Sequence, residues 1–134
     1  MSGAPRTGPA SSDTRILAIV CYALFIVAVT NGFTGIAGVV LAYLKRPEAR
    51  GTIWESHFSN LIHVFWSGVA VFALFLIVLI FGVSGLVHSV HTDAFPGGLL
   101  LIPVIWLLGV AYVVWYLYRT VKGIVLALDS KPYA

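Results

Sequence analysis

The sequence predicts an all-α, polytopic transmembrane fold, and three observations carry that expectation. Of 134 residues, 60% are hydrophobic and only 10% are charged, against about 25% charged in an ordinary soluble domain. The apolar residues gather into three segments, about 16–44, 64–87 and 99–118. Lys and Arg stand at the ends of those segments, as in chains oriented by a bilayer. Eight Lys/Arg and five Asp/Glu cannot coat a soluble globule of this length. The composition therefore excludes a soluble enzyme and a nucleic-acid module, and no nucleic-acid partner is expected. Cys21 is the single cysteine, which excludes an intrachain disulfide or a cysteine-based zinc site. Inside its apolar run it reads as a small hydrophobe.

Residues 1–15 are rich in Gly, Pro, Ser and Thr and read as a flexible polar tail. Residues 16–134 read as one transmembrane helical domain. The first apolar stretch, Ile16 to Leu44, is too long for a signal-peptide core, so no cleavage is expected. As one helix it would measure about 43 Å, well over the roughly 30 Å hydrocarbon core. Asn31-Gly32 falls near its middle, with Gly35 and Gly38 beyond. Two readings stay open: one tilted or kinked span, or a hairpin turning at Asn31-Gly32 and shielded by protein.

Thr52-x-x-Glu55 has the pattern of a capping box. A helix beginning there sets Trp54, Phe58, Leu61, Ile62 and Phe65 on one face of an amphipathic segment over about 52–65. Glu55, Ser56, Ser59, Asn60 and His63 fall largely on the other face. Val64 to Val87 holds sixteen Val, Leu, Ile or Phe residues and no charge, favouring insertion by roughly 5–10 kcal/mol. A loop from His88 to Gly98 ends in turn-forming Pro96-Gly97-Gly98. The third span tolerates Pro103 in its first turns and ends in Trp115, Tyr116, Tyr118 and Arg119, an interfacial pattern. Over about 119–128, Val121, Ile124, Val125 and Leu128 repeat at helical spacing, making a second amphipathic segment.

The loop after the first stretch carries Lys45, Arg46 and Arg50, and the C-terminal region carries Arg119, Lys122 and Lys131. The loop between the second and third spans carries none. The positive-inside rule places both basic regions, and the C-terminus, in the cytoplasm. A hairpin would put all eight basic residues on that side, and a single first span would put Arg6 and Arg15 opposite.

Lys45, Arg46, Arg50, Glu55 and His57, with Trp54 and Phe58, are candidates for contact with lipid headgroups or a partner protein. Gly32, Gly35, Gly38 and Ala42, and then Ser67, Ala70 and Ala73, form small-residue strips suited to close helix packing. Asn31 is a candidate polar kink, or a polar contact on a solute path. His57 and His63 point about 120° apart on a helix and cannot share a metal. His88, His91 and Asp93 are spaced for weak metal binding at most, and no His lies mid-span for haem. No metal, no cofactor and no enzymatic activity are expected, because no nucleophile has a base beside it.

Tyr43-Leu44-Lys45-Arg46, Glu48-Ala49-Arg50-Gly51-Thr52, Glu55-Ser56-His57-Phe58 and Phe65-Trp66 form one block. Together with Val114-Trp115-Tyr116-Leu117-Tyr118-Arg119, Lys122-Gly123 and Lys131-Pro132-Tyr133, this block resembles a bacterial family of small uncharacterised predicted integral membrane proteins. That family is distantly similar to the small channel-like subunit of the chloroplast inner-envelope protein-import translocon. The resemblance implies a multi-pass protein of the bacterial inner membrane. The expected role is a non-catalytic accessory, assembly or scaffold subunit, in the bilayer with a membrane-protein partner or a second copy. The alternative is a transport or channel component, alone or as a homo-oligomer.

Overall fold

The computed structural model describes residues 9–92 and 97–133. They form helices α1 (Pro9–Asn31), α2 (Phe33–Lys45), α3 (Ile53–Thr92) and α4 (Leu101–Leu128), with a 3-10 turn at Gly97–Leu100 before α4. The described residues contain no strand. Three helical stretches, Ser12–Asn31, Ile53–Thr92 and Gly97–Leu128, are long and apolar enough to cross a membrane. The chain divides into two units: residues 1–66 with 117–134, and residues 67–116.

In the first unit, the long apolar stretch is a hairpin. Gly32 breaks it with φ 72° and ψ −38°, a conformation that costs a residue with a Cβ about 1–2 kcal/mol. The Asn31 side-chain oxygen accepts the Thr34 amide at 3.2 Å and so caps the first turn of α2. The Thr34 hydroxyl donates to the Leu24 carbonyl at 3.0 Å. Small residues let the arms close: a Cβ on Gly35 would lie 3.2 Å from that of Ala28, and one on Gly38 would lie 2.8 Å from the Phe25 ring. These contacts run antiparallel. Gly35, Gly38, Val39 and Ala42 are buried, so three of the four residues in the first predicted packing strip do pack, while Gly32 makes the turn.

The α2–α3 link corrects the expected capping box. Glu55 does reach back, but its Oε2 accepts the Gly51 amide at 3.0 Å. The Thr52 hydroxyl turns away from α3 and donates to the Ala49 carbonyl at 2.6 Å. Gly51, at φ 77°, supplies the left-handed residue that this tight link requires.

The two amphipathic segments are not separate helices. The first is the start of α3 and the second is the end of α4. α3 has 40 residues, about 60 Å of helix, twice the hydrocarbon thickness. The charge-free stretch from Val64 to Val87 is the part suited to hydrocarbon, and the turns before it extend beyond. The C-terminal stripe also faces the other way from expectation. Thr120, Gly123 and Ala127 are buried, whereas Val121, Val125 and Leu128 are each about half exposed. The reason is steric: α1 presents the Tyr22 ring to α4, and only a helix face of small residues admits it.

In the second unit, α3 and α4 pair antiparallel. Gly98 lies against the Gly82 carbonyl, and Gly68 against the Tyr112 hydroxyl. The Tyr112 ring stacks with Trp115 and Tyr116, at 5.6 and 6.2 Å between centroids. Ser89 is the one buried residue among those described in this unit. Ser67 is half-buried, and Ala70 and Ala73 are exposed, so the second predicted strip does not pack within the chain.

Candidate functional site

The first unit holds a chain of buried polar side chains that no single segment could satisfy alone. Arg119 Nε donates to Asn60 Oδ1 at 2.9 Å. Asn60 Nδ2 donates to the Tyr22 hydroxyl at 3.2 Å. That hydroxyl stands 3.2 Å from His57 Nδ1, and His57 Nε2 stands 2.7 Å from the Lys131 carbonyl.

The proton positions follow from chemistry. A carbonyl only accepts, so His57 Nε2 carries the hydrogen; in the neutral ring Nδ1 must then accept, and Tyr22 donates to it. Arg119 only donates, which fixes the amide orientation of Asn60. Every bond points one way, from the guanidinium of Arg119 to the backbone of Lys131. His57 is fully buried. Burial holds its pKa below the ordinary value of 6.5, opposed by the hydrogen bond to Lys131, and a neutral ring is what the bond directions require.

The C-terminal residues are drawn to this chain by the way α4 ends. Lys131 N donates to the Leu126 carbonyl at 2.8 Å and Ser130 N to that of Ala127 at 3.2 Å, a Schellman ending. Ser130 takes the left-handed position at φ 54°, where glycine is usual. The turn carries Tyr133 back over the start of α3, where its amide donates to the Ser56 hydroxyl at 2.9 Å. The Tyr133 ring meets His57 edge-on at 6.2 Å. Arg119 and Lys122 lie 5.6 and 5.3 Å from its centroid, within cation–π range. From α1, Arg15 donates to the Leu128 carbonyl at 2.7 Å, placing a cation at the negative end of the α4 dipole.

A second polar feature is a cleft of about 260 Å³ lined by Tyr43, Arg46, Pro47, Arg50 and Glu55. Arg46, Arg50 and Glu55 of the predicted contact set meet there. Lys45 is ion-paired to Glu48 at 2.9 Å. Trp54, His57 and Phe58 are buried; they belong to the interior of this unit, a correction to their expected role as surface contacts. The helical face that looked apolar also carries His57 and Asn60 inward, because Tyr22 comes from another helix to meet them. Asn31 is exposed at the hairpin tip, where it caps α2.

Sequence reasoning missed Tyr22, Asn60, Arg119 and Tyr133 as one assembly. One signal was present: Tyr22 sits in an apolar run, and a tyrosine hydroxyl placed there needs a partner. No group of three or more potential metal ligands occurs among the described residues. His63, His88 and His91 are exposed, and Asp93 lies outside the described residues.

The fold is that of a multi-pass helical membrane protein. The chain matches no protein-family model, no curated protein and no solved structure.

Proposed function

We propose that this chain is a non-catalytic accessory, assembly or scaffold subunit of a bacterial inner-membrane complex, with its C-terminus in the cytoplasm. One contrast between the two units carries the reading. In the first unit the polar side chains of α1, α3, α4 and the C-terminal residues bond to one another, leaving this unit latched. In the second unit nearly every apolar side chain is uncovered, including Phe81 at 71% and Trp106 at 73% exposure. Such surface meets lipid or the spans of another membrane protein, and Gly85 and Gly109 leave open notches on it where a neighbouring helix can approach closely. The orientation is supported by the absence of Lys and Arg throughout residues 67–116, together with the positive-inside rule.

The test is native mass spectrometry of the tagged protein, extracted gently from its own membrane, with photo-crosslinkers at Phe81 and Trp106. A stoichiometric larger partner crosslinked at those positions is the expected result. A lone monomer with crosslinks only to lipid overturns the proposal.

A second reading, a transport or channel component, is favoured by the hairpin. Its arm α2 has 13 residues, about 20 Å of helix, too short for a hydrocarbon core of about 30 Å. A polar tip at Asn31 that ends inside the bilayer suits a solute path. Unchanged flux through liposomes bearing Asn31→Leu would remove that support.

A further inference from the structure

We propose that the cleft beside α2 binds one anionic glycerophospholipid, its phosphodiester between Arg46 and Arg50 and an acyl chain along α2. The inference rests on the membrane fold alone and stands or falls apart from the scaffold reading.

The charge comes first. Arg46 and Arg50 both line the cleft, and the described residues place no carboxylate in ion-pair range of either. The neighbouring charges pair elsewhere: Lys45 with Glu48 and Lys131 with Asp129. Glu55 also lines the cleft, but its Oε2 is held by the Gly51 amide, which ties the carboxylate to the loop. Two planar guanidiniums make the donor geometry that phosphate oxygens accept in pairs. Glu55 and the Tyr43 hydroxyl add acceptors for a headgroup that carries hydroxyls of its own. With only two arginines, this is a shaped site for one lipid rather than a polybasic film.

The choice of a lipid over a free phosphate comes from α2. Ile36, Val40 and Tyr43 are about half exposed, and Phe33 is 79% exposed. Their spacing of three, four and three residues sets them on one helix face. That stripe runs up to the cleft and ends in it at Tyr43. The Tyr43 hydroxyl accepts the Trp66 indole N–H at 2.7 Å, an aromatic pair of the kind found at headgroup level. A phosphate seated between the arginines thus has an apolar track leading away from it.

The experiment is native mass spectrometry of the full chain released from nanodiscs of equal phosphatidylglycerol and phosphatidylcholine with identical acyl chains. One retained phosphatidylglycerol per chain is expected, with retention falling roughly 30-fold in Arg46→Gln/Arg50→Gln. Cys21 protection from maleimide serves as the folding control. Should the double variant lose that protection, Arg50→Gln alone is read, with roughly a fivefold loss expected. Ile36→Ser/Val40→Ser is expected to weaken retention with the arginines intact. Equal retention of both lipids, or retention indifferent to the arginines, overturns the proposal. Displacement by millimolar glycerol phosphate, with no effect of Ile36→Ser/Val40→Ser, overturns the lipid assignment in favour of a soluble phosphate. Displacement by an acidic peptide alone assigns the cleft to a protein and overturns it likewise.

Discussion

Gly123→Ala drives a methyl group into the Tyr22 ring. A Cβ at Gly123 would fall on the ring edge and hydroxyl of Tyr22, far inside van der Waals contact. The ring cannot swing aside freely, because its hydroxyl is bonded to both His57 and Asn60. Overpacking of this kind costs about 2 kcal/mol, and loss of the two buried hydrogen bonds adds about 2 kcal/mol. The better helix propensity of alanine returns about 1 kcal/mol. The net loss is about 3 kcal/mol, which raises the population of locally opened molecules roughly 100-fold. The chain carries its own reporter: Cys21, adjacent to Tyr22, is fully buried and is the single thiol. Its alkylation by a membrane-permeant maleimide in nanodiscs should accelerate by that factor. In a Tyr22→Ala background the ring is gone, and adding Gly123→Ala should then stabilise slightly. Wild-type labelling in Gly123→Ala, or an undiminished penalty in the Tyr22→Ala background, refutes the reasoning.

Three further outcomes are expected. The neutral His57 confers stability that is complete above its unfolded value of about 6.5 and is lost as pH falls through its lower folded value; melting in detergent should therefore weaken on acidification in wild type and lose that dependence in His57→Gln. Ser130→Gly relieves the left-handed Ser130 (φ 54°) and should stabilise by about 1 kcal/mol, seen as a higher melting temperature, whereas Ser130→Val should lower it. Gly32→Ala, at φ 72°, should cost about 1–2 kcal/mol and loosen the hairpin, read as faster Cys21 alkylation.

Helix content and the hydrocarbon stretches were legible because a run such as Val64 to Val87 has one low-cost solution in lipid. The choice between a span and a hairpin was not, since hydropathy is blind to whether Gly32 adopts a positive φ. The inward faces were only half legible. Periodicity puts Trp54, Phe58, Leu61 and Ile62 together, and all four are buried. At the end of α4 the same rule fails, because Val121 and Val125 face outward and Gly123 inward. There the Tyr22 ring takes the inward position, and only a residue as small as Gly123 lets it approach. His57 and Asn60 read as polar-face residues because their partner, Tyr22, lies more than thirty positions away in sequence. Of the basic loop, Arg46, Arg50 and Glu55 line one cleft, and nothing in the charge pattern marked Tyr43 as the wall they share.

The Schellman turn at Ser130 has a consequence for biosynthesis. Tyr22 leaves the ribosome before α3 does, and its hydroxyl has no buried partner until His57 and Asn60 arrive. Its ring finds its seat only when Gly123 does. His57 waits longer still, for the carbonyl of Lys131, and Arg15 waits for Leu128, 113 residues downstream. The α1–α2 hairpin is therefore synthesised well before the residues that lock it. A chain interrupted before Lys131 leaves the buried His57 Nε2 without its acceptor, a cost of about 1–3 kcal/mol.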